Sequence, residues 1–287
     1  MATILAVDVG GTKMAAARVT DDGRVLARAS RPTPDGTDAE AVLGALLEAV
    51  DEVREGDEAA CGVGSGGPMT PGGEQVSPLN IGAWRGFPLR RRLADQLGLE
   101  VHVDNDAKAL ALGEGWRGAA SGHRDFIALV VSTGVGGGIV LDGRLLDGAA
   151  GNAGHLGHVI VEPDGRTCAC GAQGCLEAEA SGTAIAARTG RPAAEAPPEE
   201  RERAGRLVGR GVASVVNLLD LPLAVVAGSV ALGFGEPFFA AAQAEMDLRC
   251  RIEFARGARI VPAGLGDEGP LVGAAAVALR ALGHALA

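Results

Sequence analysis

The apolar and polar residues of this chain form short strand-like runs that alternate with helix-like segments. Apolar runs rich in β-branched residues predict strands, and apolar residues three and four positions apart predict amphipathic helices. The predicted strands cover residues 3–9, 14–19, 24–28, 101–103, 223–226 and 259–261, with a short strand ending near 61–67 and hairpin strands within 126–146. The predicted helices cover 38–54, 89–97, 107–117, 178–188, 204–219, 238–249 and 270–286, and the predicted loops include 76–88 and 189–203. Strands alternating with helices throughout indicate an α/β protein.

An internal repeat organises these elements. Residues 4–26, ILAVDVGGTKMAAARVTDDGRVL, run through strand, Gly- and Thr-containing turn, strand, Asp-Gly-Arg and strand, and residues 126–146, FIALVVSTGVGGGIVLDGRLL, repeat that order. A repeated hairpin predicts two similarly built lobes. Exposed amides and a hydroxyl in such a turn suit a phosphate group, although a single Gly-Gly pair often makes a turn and nothing more. Two such turns facing each other would hold a polyphosphate from both sides.

Composition narrows the choice of partners. The chain has 287 residues, of which 47% are hydrophobic and 22% charged, which allows one large or two medium domains. The formal net charge of -10, six Phe, two Trp and no Tyr argue against nucleic acid or an anionic membrane as the main partner. The N-terminal residues lack the layout of a signal peptide, and the longest uncharged apolar run, 221–235, is too short to cross a bilayer. We therefore expect a soluble, cytoplasmic protein.

Three of the five cysteines lie within eight residues of one another, close to two histidines. Beginning at His158, the spacing is H-x9-C-x-C-x4-C, with Cys168, Cys170 and Cys175. One imidazole and three thiolates complete a tetrahedral structural zinc site and leave no position for a water. Buried cysteines without a metal would need an apolar segment, and this one contains Gly, Asp, Arg and Gln. A disulfide is a further alternative, which an oxidising compartment would favour.

Three polar residues follow the predicted strand at 101–103. Asp104, Asn105 and Asp106 precede the predicted helix at 107–117. A carboxylate between a strand and a helix stands at the edge of a sheet, where ligands bind in α/β proteins. Asp and Asn are also preferred helix N-caps, so capping alone explains one of the three. The other two indicate a catalytic or binding site.

The motifs, taken together and in order, resemble the ROK family of sugar kinases (repressors, open reading frames and kinases). The resemblance covers nearly the whole chain and rests on DVGGTK at 8–13, NDA at 105–107, LGEGWRGAA at 112–120, STGVGGGIV at 132–140, AGHLGH at 153–158, CACGAQGCLE at 168–177 and VAGSVA at 226–231. It implies a two-lobed actin-like, hexokinase-like ATPase fold built from duplicated ribonuclease H-like units. The expected lobes are 1–105 plus 270–287, and 106–269. A homodimer or homotetramer is also implied.

The resemblance implies ATP-dependent phosphorylation of a hydroxyl on a hexose, hexosamine, cyclitol or similar polyol, with Mg2+ and structural Zn2+. Asp106 would be the general base and Asp8 would orient Mg2+ and its waters, while His158 would bind zinc through one ring nitrogen and a sugar hydroxyl through the other. The phosphates would meet Gly10, Gly11, Thr12 and Lys13 on one lobe and Thr133, Gly134 and Gly136 on the other, with Gly228 and Ser229 against the adenosine. The sugar contacts would be Gly66, Asn80, Asn105, Asp106, His155, His158 and Glu177.

One departure from the family pattern concerns the substrate. His155 stands where the family's sugar kinases usually carry Glu, which accepts hydrogen bonds from two hydroxyls near the anomeric end. A neutral imidazole accepts one and donates through its other nitrogen, so glucose becomes less favoured, although His155 could also be a variant for the same sugar. Asp104 for Glu is a milder change, and Lys108, where a small or amide residue is common, adds positive charge near the base.

Two other classes of function stay open. Some family members are sugar-sensing repressors, which carry an N-terminal helix-turn-helix. This chain is acidic and opens on the strand that leads into the Gly10–Lys13 turn, which does not favour that class. A non-catalytic sugar-sensing protein is the second alternative. Asp106, Lys13 and both phosphate turns argue against it, and His155 is the feature that favours it.

Overall fold

The computed structural model describes residues 2–284, and that part of the chain contains two five-stranded mixed sheets. The strands are β1 (Thr3–Val9), β2 (Lys13–Thr20), β3 (Val25–Pro32), β4 (Ala60–Ser65), β5 (Val101–Asn105), β6 (Phe126–Val131), β7 (Val135–Leu141), β8 (Arg144–Leu145), β9 (Leu223–Ala227) and β10 (Arg259–Pro262). The helices are α1 (Ala39–Val53), α2 (Leu89–Leu97), α3 (Asp106–Arg117), α4 (Leu176–Ala180), α5 (Gly182–Thr189), α6 (Pro198–Leu219), α7 (Ser229–Phe234), α8 (Glu236–Arg249) and α9 (Gly269–Ala281). The predicted α/β class is confirmed.

The two sheets have the same strand order. The first sheet runs β3-β2-β1-β4-β5, and the second runs β8-β7-β6-β9-β10. In each sheet, the three strands that come first in the chain form an antiparallel meander, β1 to β3 or β6 to β8. The two later strands are parallel to β1 in the first sheet and to β6 in the second. The internal repeat predicted from residues 4–26 and 126–146 is therefore part of a larger duplication, in which each copy also includes two parallel strands.

The described residues divide into two units. The first contains 2–122, 147–153 and 264–284, and the second contains 123–146 and 154–263. In the first unit, α9 lies so close to β4 that a Cβ at Gly62 would come 1.9 Å from the carbonyl oxygen of Ala274. Another face of α9 meets α3, where a Cβ at Gly273 would come 2.5 Å from the carbonyl oxygen of Ala109. Small residues at these contacts let the helix backbones approach the sheet and each other, so nearly all of α9 is buried.

This division differs from the predicted lobes, 1–105 plus 270–287 and 106–269. Helix α3 and the segments 147–153 and 264–269 lie in the first unit. Helix α3 lies there because it packs on α9, and the buried carboxylate of Glu114 accepts the N–H groups of Gly264 and Leu265 at 2.9 and 3.1 Å. The sequence pattern of α3 predicts the helix but not the partner against which it packs. Residues 285–287 lie outside the described residues.

The second unit has a core between its sheet and the helix pair α6 and α8. A Cβ at Gly205 would come 2.3 Å from the carbonyl oxygen of Phe238, and one at Gly209 would come 2.2 Å from that of Ala242. The two glycines, one helical turn apart, therefore let α8 lie directly on α6. Over residues 2–284, no helix combines the length and apolar composition needed to cross a membrane.

Three local predictions need correction. The predicted loop 189–203 contains the first six residues of α6, which starts at Pro198; a proline suits the first position of a helix, and Glu199 and Glu200 suit its positive end. The predicted helix 178–188 is two helices, because the Ser181 side chain accepts the Ala184 N–H and so caps a new helix, α5. Helix α7 begins directly at Ser229, in a segment for which no helix was predicted. The last helix ends at Ala281 within the described residues, and the predicted end at Leu286 lies outside them.

Candidate active site

Polar residues gather at one edge of the first sheet, where three parallel strands end. Strands β1, β4 and β5 are in register, with Asp8 opposite Gly64 and Gly64 opposite Asp104. A Cβ at Gly64 would lie 3.6 Å from the Cα of Asp106 and 3.8 Å from Oδ1 of Asp8. Because parallel strands present their carboxyl ends at one edge, Asp8, Gly66, Asn105 and Asp106 are neighbours, as the sequence predicts for a ligand site.

The three polar residues after β5 have three different environments. The Asn105 side chain accepts the Ala107 N–H at 3.1 Å and caps α3. Asp104 forms an ion pair with the buried amine of Lys108, with 2.9 Å between Oδ1 and Nζ. Asp106 occupies the first turn of α3 with its side chain exposed, and its Oδ1 accepts the Ala107 N–H at 2.8 Å. Capping thus accounts for Asn105, an ion pair accounts for Asp104, and Asp106 is the carboxylate that faces solvent.

Asp8 and Asp106 influence each other electrostatically. Burial and, to a smaller extent, the nearby carboxylate of Asp106 together raise the pKa of Asp8 to about 7, and the positive charge of Lys13 partly opposes them. Two carboxylates at one sheet edge repel each other, and a divalent cation relieves such repulsion because it prefers oxygen ligands. The donor set around Asp8 therefore suits Mg2+.

The two turns predicted to bind phosphate are called phosphate turns here, and the first of them follows β1. The Gly10 N–H donates to the Lys13 carbonyl oxygen at 3.1 Å and closes the turn. Residues 11–13 are exposed at its tip. A Cβ at Gly11 would lie 2.4 Å from the Cβ of Asn80, so the loop at 76–88 lies directly on the turn and needs glycine there. That loop also reaches the end of β4, since a Cβ at Gly66 would meet Pro78 at 3.6 Å.

The second phosphate turn follows β6 in the second unit. The hydroxyl oxygens of Ser132 and Ser229 are 2.9 Å apart, so the turn lies beside the end of β9, the parallel neighbour of β6. Gly228 has a φ of 100°, and a Cβ on it would lie 2.3 Å from the Val131 carbonyl oxygen, so a larger residue does not fit. Thr133 is exposed at the tip of the turn. This edge repeats the arrangement of the first sheet.

His158, Cys168, Cys170 and Cys175 form a four-residue cluster in the second unit. The His158 Nδ1 atom is 3.7 Å from the Cys168 Sγ atom, and the Cys170 and Cys175 Sγ atoms are also 3.7 Å apart. All four ligand atoms lie within 4.8 Å of one another. Zinc–sulfur bonds of about 2.3 Å in a tetrahedron separate two sulfurs by about 3.8 Å, so the cluster fits zinc. The alternative of a disulfide is not realised, because all five cysteines are free.

The thiols of this cluster differ in acidity. Burial, with smaller contributions from the neighbouring Cys170 and Cys168, raises the pKa of Cys175 to about 12. A hydrogen bond from the Ala172 backbone, with a smaller contribution from Cys168, lowers the pKa of the exposed Cys170 thiol. Because metals bind thiolates, a metal that enters the cluster must displace at least the Cys175 proton.

His155 and His158 precede the three cysteines of the cluster along the chain, and Glu177 follows them. The imidazole rings of His155 and His158 are nearly parallel, with centroids 6.2 Å apart, and both side chains are exposed. With His158 Nδ1 directed at the cluster, its Nε2 is the nitrogen left for another partner. Glu177, predicted as a sugar contact, accepts the Val135 N–H through Oε2 at 2.9 Å, so it contacts the second phosphate turn.

The site residues predicted from sequence thus form two groups, one in each unit. The first group is Asp8, Gly10, Gly11, Thr12, Lys13, Gly66, Asn80, Asn105 and Asp106, and the second is Thr133, Gly134, Gly136, His155, His158, Cys168, Cys170, Cys175, Glu177, Gly228 and Ser229. Within each group, sheet edges and tight backbone contacts bring together residues that are far apart in sequence.

Residues 4–281 match the model of the ROK family. The chain belongs to the ROK family. It is 40% identical over 247 residues to an N-acetylmannosamine kinase of Citrobacter koseri, covering 80% of this chain and 84% of that one. The ROK hexokinase of Thermus thermophilus superposes with a TM-score of 0.83 at 36% identity and covers 98% of this chain and 100% of its own. A ROK family glucokinase of Streptomyces griseus, in complex with glucose and AMPPNP, superposes with a TM-score of 0.83 at 33% sequence identity. That match covers 95% of this chain and 98% of the glucokinase.

The family resemblance and the actin-like ATPase fold predicted from the motifs are confirmed for this ROK protein. Sequence reasoning missed two contacts. Lys108 donates to Asp147 Oδ1 at 2.9 Å and to the Gly151 carbonyl oxygen at 3.2 Å, in addition to Asp104. The other is the bond from Val135 to Glu177. Lys108 does depart from the family pattern, which is a signal, but its partners lie about 40 residues away in sequence.

Proposed function

We propose that this ROK protein is an ATP- and Mg2+-dependent kinase that phosphorylates a hydroxyl of a hexose, hexosamine or related polyol. The observation that carries the proposal is the meeting of Asp8, Asn105 and Asp106 at one sheet edge, beside the turn that contains Gly11. The named relatives are sugar kinases, which agrees with the general class.

Asp106 is the proposed general base. It takes the proton of the sugar hydroxyl while the hydroxyl oxygen forms a bond to the γ-phosphorus and the bond from that phosphorus to the β,γ-bridging oxygen breaks, which releases ADP. The exposed position of Asp106 in the first turn of α3 lets a substrate reach it, and the positive end of the helix stabilises its carboxylate. Asn105 is the proposed hydrogen-bonding partner of a neighbouring hydroxyl.

Asp8 is the residue proposed to hold Mg2+. The ion supplies charge neutralisation for the phosphates when it is bound. The protein's own contribution is positional: the Gly10–Lys13 turn and the Thr133–Gly136 turn offer backbone amides, and Lys13 adds a positive charge at the tip of the first turn. Gly228 and Ser229 are proposed to lie against the adenosine.

Zinc in the four-residue cluster is proposed to be structural. Four protein ligands leave no open position for a water, so the metal has no direct part in the chemistry. Its proposed role is to hold the His158 ring by Nδ1, which fixes the proton on Nε2 and makes that nitrogen a hydrogen-bond donor to a sugar hydroxyl. His155, Asn80 and Gly66 are the other proposed sugar contacts.

A coupled ADP-release assay with Mg-ATP tests the proposal. The panel contains glucose, mannose, fructose, allose, N-acetylglucosamine, N-acetylmannosamine and several cyclitols, and the Asp106→Asn variant is the control for contaminating kinases. We expect turnover with at least one sugar and a rate about two to four orders of magnitude lower in the variant. Silence on the whole panel from folded, zinc-loaded protein would contradict the kinase proposal.

The alternative is a sugar-sensing protein without turnover, and His155 is the observation that favours it. A neutral imidazole offers the anomeric end of a sugar fewer acceptors than the family's usual glutamate. Sugar binding in calorimetry without ADP release in the same panel would select this alternative.

A further inference from the structure

The loop that contains the cysteine cluster leads directly into a helix that touches the second phosphate turn. Cys175 is the residue at the N-terminal cap of α4, and Glu177 lies two residues later in the first turn of that helix. The Glu177 Oε2 atom accepts the Val135 N–H at 2.9 Å. Only one residue, Leu176, therefore lies between a cluster thiol and the carboxylate that holds the turn.

The same region holds this turn at further points. The Gly182 N–H donates to the Ser132 carbonyl oxygen at 2.7 Å, and the Thr183 hydroxyl donates to the Thr133 carbonyl oxygen at 3.0 Å. On the other side of the cluster, a Cβ at Gly157 would lie 2.2 Å from the Val135 carbonyl oxygen. Residues next to His158 and residues after Cys175 thus both contact residues 132–135.

The turn needs external support because of its composition. Residues 134–138 read GVGGG, of which Gly134 lies in the turn and the next four residues begin β7. Glycine has the largest conformational freedom to lose when a backbone becomes fixed. A Cβ at Gly134 would come 2.8 Å from the Glu177 Oε2 atom, so the glycine that makes the turn flexible also admits the carboxylate that restrains it. A turn whose amides bind phosphate must be fixed before the nucleotide arrives, or the affinity is reduced by the cost of ordering it.

We propose that Glu177 is a positioning residue that couples the cysteine cluster to the second phosphate turn. The metal that holds Cys175 and His158 fixes α4, α4 fixes Glu177, and Glu177 fixes the Val135 amide. The state of the metal cluster therefore sets the affinity for nucleotide as well as the geometry of the sugar contacts. This inference rests on the proposed function, in which residues 132–136 bind the phosphates of ATP.

The test measures ADP affinity by calorimetry in the absence of sugar, so that a sugar contact of Glu177 does not enter. The variants are Glu177→Ala, Glu177→Gln, which keeps an acceptor oxygen, and Cys170→Ser, with zinc content measured for each. Glu195→Ala removes one exposed glutamate in the same unit and is the matched control. Hydrogen exchange of residues 132–136 without nucleotide reports on the turn itself.

We expect Glu177→Ala to weaken ADP binding about tenfold, which corresponds to the loss of one hydrogen bond to a charged acceptor. Hydrogen exchange at 132–136 should accelerate in the same variant. Glu177→Gln should keep most of the wild-type ADP affinity and most of the wild-type protection from exchange. Loss of zinc in Cys170→Ser should reproduce both effects. Combining it with Glu177→Ala should then add little, because both changes remove the same restraint.

Two results would overturn the inference. One is wild-type ADP affinity in Glu177→Ala, and the other is unchanged exchange at 132–136 after zinc is lost. A wild-type protein that binds no ADP would instead remove the proposed function, and the exchange measurement would still show whether Glu177 restrains the turn.

Discussion

The substitution of Asp106 by Asn tests the base assignment with little change of shape. The Ala107 N–H donates to Asp106 Oδ1 at 2.8 Å, and an asparagine keeps an acceptor oxygen at that position. The Asn105 cap of α3 is unaffected, and the side chain is exposed, so the fold should be retained. What the variant loses is the carboxylate that we propose accepts the proton.

We expect kcat to fall by about two to four orders of magnitude, the usual contribution of a general base, which corresponds to about 3–5 kcal/mol. Sugar affinity should stay within a few-fold, because asparagine still hydrogen-bonds a hydroxyl. ADP release is measured with the best sugar of the panel, and sugar affinity is measured by calorimetry. Asp35→Asn, which removes one exposed carboxylate in the same unit, is the matched control.

A kcat within a few-fold of wild type, in a protein shown to be folded, would refute the base assignment. A loss of sugar affinity as large as the loss of kcat would also refute it, because Asp106 would then act in binding and not specifically in the transition state.

Three further predictions concern the groups around this site. Because the pKa of Asp8 is raised to about 7 in the folded protein, its contribution to stability is present at acidic pH and is lost as pH rises through 7. Asp8→Asn should therefore stabilise the metal-free protein more at pH 8 than at pH 5, measured by thermal unfolding. An equal gain in stability at both pH values would contradict this pKa. Cys170→Ser should release zinc, measured by elemental analysis, and weaken sugar binding because His158 loses its fixed orientation; full sugar affinity in the metal-free variant would contradict the structural role of zinc. His155→Glu should raise kcat/KM for glucose relative to the wild-type's best substrate by about tenfold, since a glutamate accepts two hydroxyls; an unchanged ratio across the panel would mean that His155 does not select the sugar.

Local patterns predict the elements and the candidate site well where the chemistry is local. The run before Asp8 and the helical pattern after Asp106 indicate where strands end and a helix begins, and parallel strands then bring those ends to one edge. The cluster at His158 and its cysteines is contained in a short segment, so spacing alone is sufficient to find it. The repeat of the two hairpins predicts the duplicated sheets for the same reason.

Long-range partners are the part that local patterns do not predict. The first turn of α6 is polar and rich in Pro and Glu, so its composition is equally typical of a loop, and the close contacts of α6 with α8 lie further along the helix, at Gly205 and Gly209. The acceptor of the Val135 N–H is Glu177, 42 residues further on. No periodicity specifies such a pair, because it depends on how α4 lies against the sheet.

Lys108 shows how one departure from a family pattern acquires a physical explanation. Its ammonium group has three donors, and it meets Asp104 Oδ1, Asp147 Oδ1 and the Gly151 carbonyl oxygen at 2.9 to 3.2 Å. A buried lysine is stable in such surroundings because its charge is balanced and its donors are used. Asp147 is held on its other oxygen by Arg280 at 2.9 Å. The lysine therefore joins the junction that carries Asp106 to the segment 147–153 and to α9, so its charge serves this packing, while the side chain of Asp106 stays exposed.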